Sequence, residues 1–205
     1  MRRPSITQPN GIPLSRPRKP GKPTQGSITA IIGCMFSGKT TMILDRLIGT
    51  DPEQTRAFKH ACDQRYQPDA IVSHAGRSSP AVSLNFAREI EEHLTPSIRL
   101  VAIDEAHFFD EDLIAVLRRL AMAGTEVITT SLDCGSWGQP MPVTQQLIEI
   151  ADRTILRHAT CARCGGPANH TQRLTPIVDG NLVGGPECYE PRCGTCWHPP
   201  PEPHV

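Results

Sequence analysis

Three groups of residues in this 205-residue chain have types and spacings that can do chemistry. The first is Gly33-Cys34-Met35-Phe36-Ser37-Gly38-Lys39-Thr40, which fits G-x-x-x-x-G-K-[ST]. In such a loop the glycines let the backbone curl until its N–H groups face inward. Those groups, with the N-terminus of the following helix, cradle phosphate oxygens. Lys39 would reach the terminal phosphates and the Thr40 hydroxyl would hold Mg²⁺. The second group is Asp104-Glu105, at the end of an apolar run. Asp104 fits the carboxylate that supports Mg²⁺, directly or through water, and Glu105 then points toward the reaction centre. Glu105 could activate a water, giving an ATPase, or a substrate hydroxyl, giving a kinase. Two solvated acids capping the next helix are the plain alternative.

The third group is a pair of pairs, Cys161-x-x-Cys164 and Cys193-x-x-Cys196, separated by 28 residues. Each pair can place two thiolates on one metal, and together they complete a tetrahedral zinc site. Two disulfides or four free thiols would use the same residues, and a cytosolic setting disfavours the disulfides. The separation exceeds the usual zinc-ribbon gap, so a long loop must run out and return. The other four cysteines (Cys34, Cys62, Cys134, Cys188) have no such pairing and read as ordinary buried or loop thiols.

These groups need elements to hold them. Residues 27–32 form a short β-branched apolar run, as a buried strand should, directly before the phosphate loop. After it, Ile43, Leu44, Leu47 and Ile48 fall on one helical face. Further strands are predicted over 56–61, 99–103, 126–132 and near 153–157. Helices are predicted over 84–94, over 111–123 with Gly124 as the stop, and near 145–151. The stretch from Cys62 to Ser83 reads as loops around a short segment at 70–73. Alternating strand and helix predicts an α/β fold, a parallel sheet with helices on both faces. Ligands in such sheets sit beyond the carboxyl ends of the strands, so the phosphate loop, Asp104-Glu105 and Asp133 should share one rim. The expected organisation is a basic, Pro-rich, disordered leader over 1–25 and a nucleotide-binding domain over 26–157. A small zinc-binding unit over 158–197 and an extended tail over 198–205 follow.

Composition narrows the function. Aromatics make up only 4% of the chain against 20 prolines, which suggests a core with irregular flanks. Net charge is zero, but the first 25 residues carry six basic side chains and no acid. The remainder has 15 Lys and Arg against 21 Asp and Glu. An acidic body disfavours broad nucleic-acid binding, whose affinity comes largely from phosphate neutralisation. The leader lacks the apolar core of a secretory signal. No segment approaches the roughly 20 apolar residues of a membrane span. A soluble, cytoplasmic protein is expected. Asp104-Glu105-Ala106-His107 also spells the DEAH box of helicases. That reading needs a second motor domain, for which no room is expected after the cysteine-rich unit, and the acidic body argues against a nucleic-acid track.

As a set, these residues resemble the zinc-containing thymidine kinases of the cellular and bacterial type. The resemblance rests on the phosphate loop, Asp63-Gln64-Arg65-Tyr66 and Ile103-Asp104-Glu105-Ala106-His107-Phe108-Phe109. It continues through Leu132-Asp133, the two cysteine pairs, Thr171-Gln172-Arg173-Leu174 and Gly184-Gly185-x-x-x-Tyr189. It implies a kinase that uses ATP and Mg²⁺ with structural Zn²⁺ on Cys161, Cys164, Cys193 and Cys196, typically as a homotetramer inhibited by its end-product triphosphate. It implies a phosphate loop of Gly33 to Thr40 supported by Asp104, with Glu105 as general base on the 5′-hydroxyl and Lys39 and Arg65 at the phosphates. The loop between the cysteine pairs becomes a lasso over the nucleoside, with Met35, Phe108, Thr171, Val183, Gly184 and Tyr189 at the substrate. This chain also departs from the pattern. His107 stands where Gln is usual, and Ser136 and Met141 stand where Phe is usual. Trp137 lies beside one lost Phe, and soft Met141 can fill a gap. His107 reads either as a satisfied core histidine or as a group titrating near neutral pH beside Glu105. Thymidine is the expected substrate, giving dTMP for DNA precursor synthesis. A shifted pyrimidine nucleoside, or a zinc-ribbon ATPase acting on nucleic acid, are the alternatives.

Overall fold

The computed structural model describes residues 25–65, 67–176 and 183–200. The leader up to residue 24, Tyr66 and the last five residues of the tail lie outside them.

In chain order, β1 (Ser27–Gly33) leads through the phosphate loop into α1 (Lys39–Ile48), followed by β2 (Thr55–His60). An antiparallel pair comes next, β3 (Ala70–Val72) and β4 (Ser78–Pro80), and then β5 (Val82–Leu84) and β6 (Leu100–Asp104). After these come α2 (Asp112–Met122), β7 (Glu126–Ser131), α3 (Pro142–Ile150) and β8 (Arg153–Arg157). Six strands form one sheet in the order β5-β2-β6-β7-β1-β8, and every neighbouring pair is parallel.

The apolar runs fix both faces of this sheet, because side chains alternate along a strand. On β6, Leu100 and Ala102 join Ile43, Leu44 and Leu47 of α1. The intervening Val101 and Ile103 join Leu113, Val116 and Leu117 of α2 and Val143 and Leu147 of α3. One helix therefore covers one face and two cover the other. Each fully buried Ile or Leu contributes about 1.5–3 kcal/mol by leaving water. Gly124 has φ +93° and follows α2 as a left-handed stop.

Several elements differ from the sequence expectation. Ile48 is 68% exposed, because α1 ends there and Gly49 turns the chain away. The segment read as a helix over 84–94 splits into β5 and a 3-10 turn at Ala87–His93. The Glu89 carboxylate accepts from the Asn85 and Phe86 amides and fixes that turn's start. The third helix begins earlier than expected, with Pro142 in its first turn, where its missing N–H costs nothing. Among the described residues no helix is long and apolar enough to cross a membrane.

Beyond β8 the chain builds two small antiparallel pairs. β9 (Ala159–Thr160) pairs with β10 (Pro167–Ala168), and Cys161 and Cys164 lie in the turn between them. β11 (His170–Arg173) pairs with β12 (Tyr189–Arg192), and Cys193 and Cys196 follow directly. This pair is the excursion out and back that the 28-residue separation requires. Residues 177–182 of it lie outside the described ones.

Candidate active site

The phosphate loop rises from the carboxyl end of β1. A side chain cannot replace Gly33, because a Cβ there would sit 2.2 Å from the Arg157 carbonyl oxygen of neighbouring β8. Phe36, within the loop, holds φ +64°, a costly backbone for a bulky residue and one that collects at functional sites. The Lys39 ammonium folds back onto the Gly33 and Cys34 carbonyls at 2.9 and 2.8 Å. The Arg157 Nε donates to the Ser37 carbonyl at 3.2 Å and braces the outer side.

Asp104 ends β6, and the chain turns sharply at Glu105, whose φ is +49°. That turn places the two carboxylates of consecutive residues in one buried space; they are 5% and 7% exposed. The Thr40 hydroxyl lies 3.2–3.3 Å from both Asp104 oxygens. Thr130 of β7 donates to Asp104 and accepts the Glu105 amide at 3.0 Å, so one hydroxyl positions both acids. Arg65 grips Asp63 at 2.6 and 2.9 Å and reaches the Glu105 Oε1 at 2.7 Å. The Glu105 Oε2 is buried and has no hydrogen-bond partner among the described residues. Burial and the Glu105 charge push Asp104 up. For Glu105, burial acts upward too, but Arg65, His107 and Lys39 together outweigh it and hold it well below the usual carboxylate range. The environments thus drive two adjacent acids apart.

Glu105, Arg65 and Met35 form the wall shared by two cavities. One, of about 250 Å³, is lined by Phe36 to Thr41 of the phosphate loop with Lys59, Asp63, Asp104 and His74. The other, of about 260 Å³, is lined by Phe108, Leu132, Trp137, Met141, Thr171 and Tyr189 among others. Val183, Gly184, Ser136 and His107 also border it. One cavity carries cations and hydroxyls and the other is mostly apolar, with a carboxylate between them. β10 and β11 are stitched to the phosphate loop: the Met35 amide donates to Thr171 Oγ1 at 3.1 Å, and the Cys34 thiol to the Ala168 carbonyl at 3.4 Å. Tyr189 is held by Arg173, which donates to its hydroxyl. Asp133 lines neither cavity; its carboxylate accepts the Cys134 amide at 2.9 Å and shapes its own turn.

His107 is a satisfied core histidine. Its side chain is 1% exposed, and its Nδ1 accepts the Leu132 amide at 3.3 Å. Burial pushes its pKa down to about 4, against the opposing pull of Glu105. The 3.6 Å approach of Nδ1 to Glu105 is therefore not an ion pair at neutral pH. An unfolded histidine titrates near 6.5, so the unfolded chain binds the extra proton between about pH 4 and 6.5. Stability should fall as pH drops through that window. His107→Gln should remove about 1.5 kcal/mol of the loss between pH 6.5 and 5, read by urea unfolding at the two pH values.

The sulfurs of Cys161, Cys164, Cys193 and Cys196 lie within 4.8 Å of one another, with Cys164 and Cys193 at 3.6 Å. Ligands at 2.3 Å from a tetrahedral zinc would be spaced by about 3.8 Å, so the four thiols fit that ion. Next along the chain, Trp197 stacks on His170 at 4.7 Å. Its ring also lies 3.0 Å from where a Gly138 Cβ would be. Gly138 belongs to the loop carrying Ser136, Trp137 and Met141, so the residue next to the cysteine cluster packs against a loop that lines the apolar cavity.

The family model described as thymidine kinase matches residues 26–197. The chain belongs to the thymidine kinase family. It is a kinase, a phosphotransferase acting on deoxynucleosides. Among solved structures, the chain is similar to the S. cerevisiae Hsp104-ADP complex at 14% identity, with a TM-score of 0.35. That match covers 70% of this chain and only 30% of that one.

Sequence reasoning did not single out Lys59, Thr130, Arg157 or Trp197. The first three carry no motif. Their roles come from sheet neighbours brought together by strand order, which a linear pattern does not display.

Proposed function

We propose that this kinase transfers the γ-phosphoryl group of ATP to the 5′-hydroxyl of thymidine or a closely related pyrimidine deoxynucleoside, giving the nucleoside monophosphate for DNA precursor synthesis. The observation that carries the reading is the Glu105 carboxylate on the wall between the two cavities, with one oxygen held by Arg65 and the other buried and, among the described residues, without a partner. A hydroxyl entering from the apolar side would find there the acceptor for its proton. Because Glu105 stays ionised, it takes that proton as the new P–O bond forms and orients the hydroxyl in line before it. Lys39 and Arg65 supply positive charge where the phosphoryl oxygens gather negative charge.

Thr40 and Asp104 are the hard oxygen donors that fit Mg²⁺. When bound, the ion neutralises charge on the terminal phosphates. The phosphate loop would hold the triphosphate by its amides. On the other side, Met35, Phe108, Thr171, Val183, Gly184 and Tyr189 would enclose the nucleoside, and the zinc-pinned excursion would close over it and exclude water. The same reading carries over a homotetramer from the family.

Ser136 and Met141 border the nucleoside side, so base preference is decided there. The test is ADP production at fixed ATP and Mg²⁺ across a panel of thymidine, deoxyuridine, 5-substituted deoxyuridines, deoxycytidine and purine deoxynucleosides. We expect pyrimidine-dependent turnover, with thymidine or a 5-substituted relative giving the highest kcat/KM. ADP production stimulated by DNA or RNA and indifferent to every nucleoside would overturn the reading.

A further inference from the structure

Lys59 is a buried cation that the chemistry above leaves unused. It lies near the carboxyl end of β2, in register beside Asp104 of β6, and is 3% exposed. Its side chain lines the phosphate-side cavity together with Lys39, Thr40, Arg65 and Asp104. An ammonium carries three donors. Among the described residues, Lys59 makes one hydrogen bond, to the Gln67 carbonyl at 3.1 Å, and forms no ion pair. Its neighbour Arg65, by contrast, is neutralised by two carboxylates.

Burying a charge with a single neutral acceptor is unfavourable unless an anion completes the site. The tie to Gln67 closes the loop that carries Asp63 and Arg65, but that task needs one donor and no charge. An apolar side chain would fill the same space more favourably. The position of Lys59 gives the charge a use. β2 is separated from β1 by β6 and β7, so Lys59 enters the cavity from the side opposite to the strand that feeds the phosphate loop. There it stands next to Asp104 and to the Arg65–Glu105 pair, where the transferred group must pass.

We infer that Lys59 is a second phosphate-binding lysine, contacting the terminal phosphoryl group of ATP from the β2 side while Lys39 holds it from the phosphate loop. The inference rests on the ATP reading of this cavity. In a loose phosphoryl-transfer transition state the charge spreads over three equatorial oxygens, and cations on two sides stabilise it better than cations on one.

The experiment compares Lys59→Met, Lys59→Arg and Lys39→Ala in the full chain, by steady-state kinetics and by thermal shift with Mg-ATP and with Mg-ADP. For Lys59→Met we expect kcat/KM for ATP to fall on the order of 10- to 100-fold, as for loss of a charge-assisted hydrogen bond. ATP-induced stabilisation should shrink more than ADP-induced stabilisation, and the nucleoside KM should stay unchanged. The ligand-free Tm should hold or rise, because a buried charge has been replaced by an apolar side chain of similar length. Lys59→Arg should recover part of the ATP effect. A Lys59→Met protein with a lower ligand-free Tm and unchanged ATP parameters would overturn the inference and leave Lys59 as a loop tie. Should Lys59→Met not fold, Lys59→Gln, which keeps a donor but no charge, carries the same comparison. If Lys39→Ala also leaves ATP binding intact, the fault lies with the ATP reading of the cavity rather than with Lys59.

Discussion

Glu105→Gln is expected to lower kcat by roughly 10²–10⁴-fold, the usual contribution of a positioned general base, while ATP and nucleoside affinities change little. The amide is nearly isosteric, so the sharp turn after β6 and the Thr130 contact to the backbone amide remain. The Gln carbonyl can still accept from Arg65, which keeps its two bonds to Asp63. What disappears is the charged acceptor facing the wall between the cavities. The amide presents N–H groups where a hydroxyl proton has to go, so the attacking oxygen is neither oriented nor relieved of its proton. A loss confined to kcat marks an interaction made only in the transition state. Turnover is read by coupled ADP release, and binding by calorimetry with ATP and nucleoside separately. If kcat stays within tenfold of the parent, proton acceptance by Glu105 is wrong, and the buried carboxylate serves to hold Arg65.

Why Glu105 could be nominated from sequence, and Lys59 or Trp197 could not, follows from how each signal is encoded. The phosphate loop, the apolar run of β6 and its terminal acids are local. Flank, motif and period sit within about ten residues, and β6 alternates between two cores as its pattern predicts. The cysteine pairs are local in the same way, and only their meeting is long-range. By contrast, β5 is a three-residue Val-Ser-Leu segment, too short to show a period, and it is a strand because β2 lies beside it. The charges around Glu89 suggested an α-helix, yet they serve to cap a 3-10 turn. Lys59 reads as one basic residue in a strand until β6 places Asp104 beside it. Trp197 gains its meaning only when folding sets it against Gly138. Tertiary neighbours, rather than propensity, decide these cases.

Removal of the metal should disable the nucleoside side of the site before the phosphate side. On the zinc reading, the four cysteines would pin both ends of the excursion that carries Thr171, Val183, Gly184 and Tyr189, and a structural zinc site supplies on the order of 10 kcal/mol of local folding energy. Among the described residues of this part of the chain, the buried apolar side chains are those of Cys161, Ala168 and Tyr189. It has little core of its own to replace the lost metal. Its loosening reaches the nucleoside cavity by two routes. The Thr171 hydroxyl leaves the Met35 amide, and Trp197, next to Cys196, leaves Gly138 and so frees the loop of Ser136, Trp137 and Met141. The six-stranded sheet and its two apolar cores are built from other residues and should persist. Chelation, or Cys193→Ala, is therefore expected to raise the nucleoside KM by more than about 100-fold, while Mg-ATP still stabilises the remaining fold. Trp137 lines the cavity and Trp197 packs against Gly138 of the same loop, so the emission of the chain's two tryptophans should shift to the red as the metal leaves. The parent protein should carry one zinc per chain by elemental analysis. A metal-free protein with unchanged emission and unchanged nucleoside KM would mean that the four thiols stand together without a metal to hold them, and that the nucleoside cavity is supported by the sheet alone.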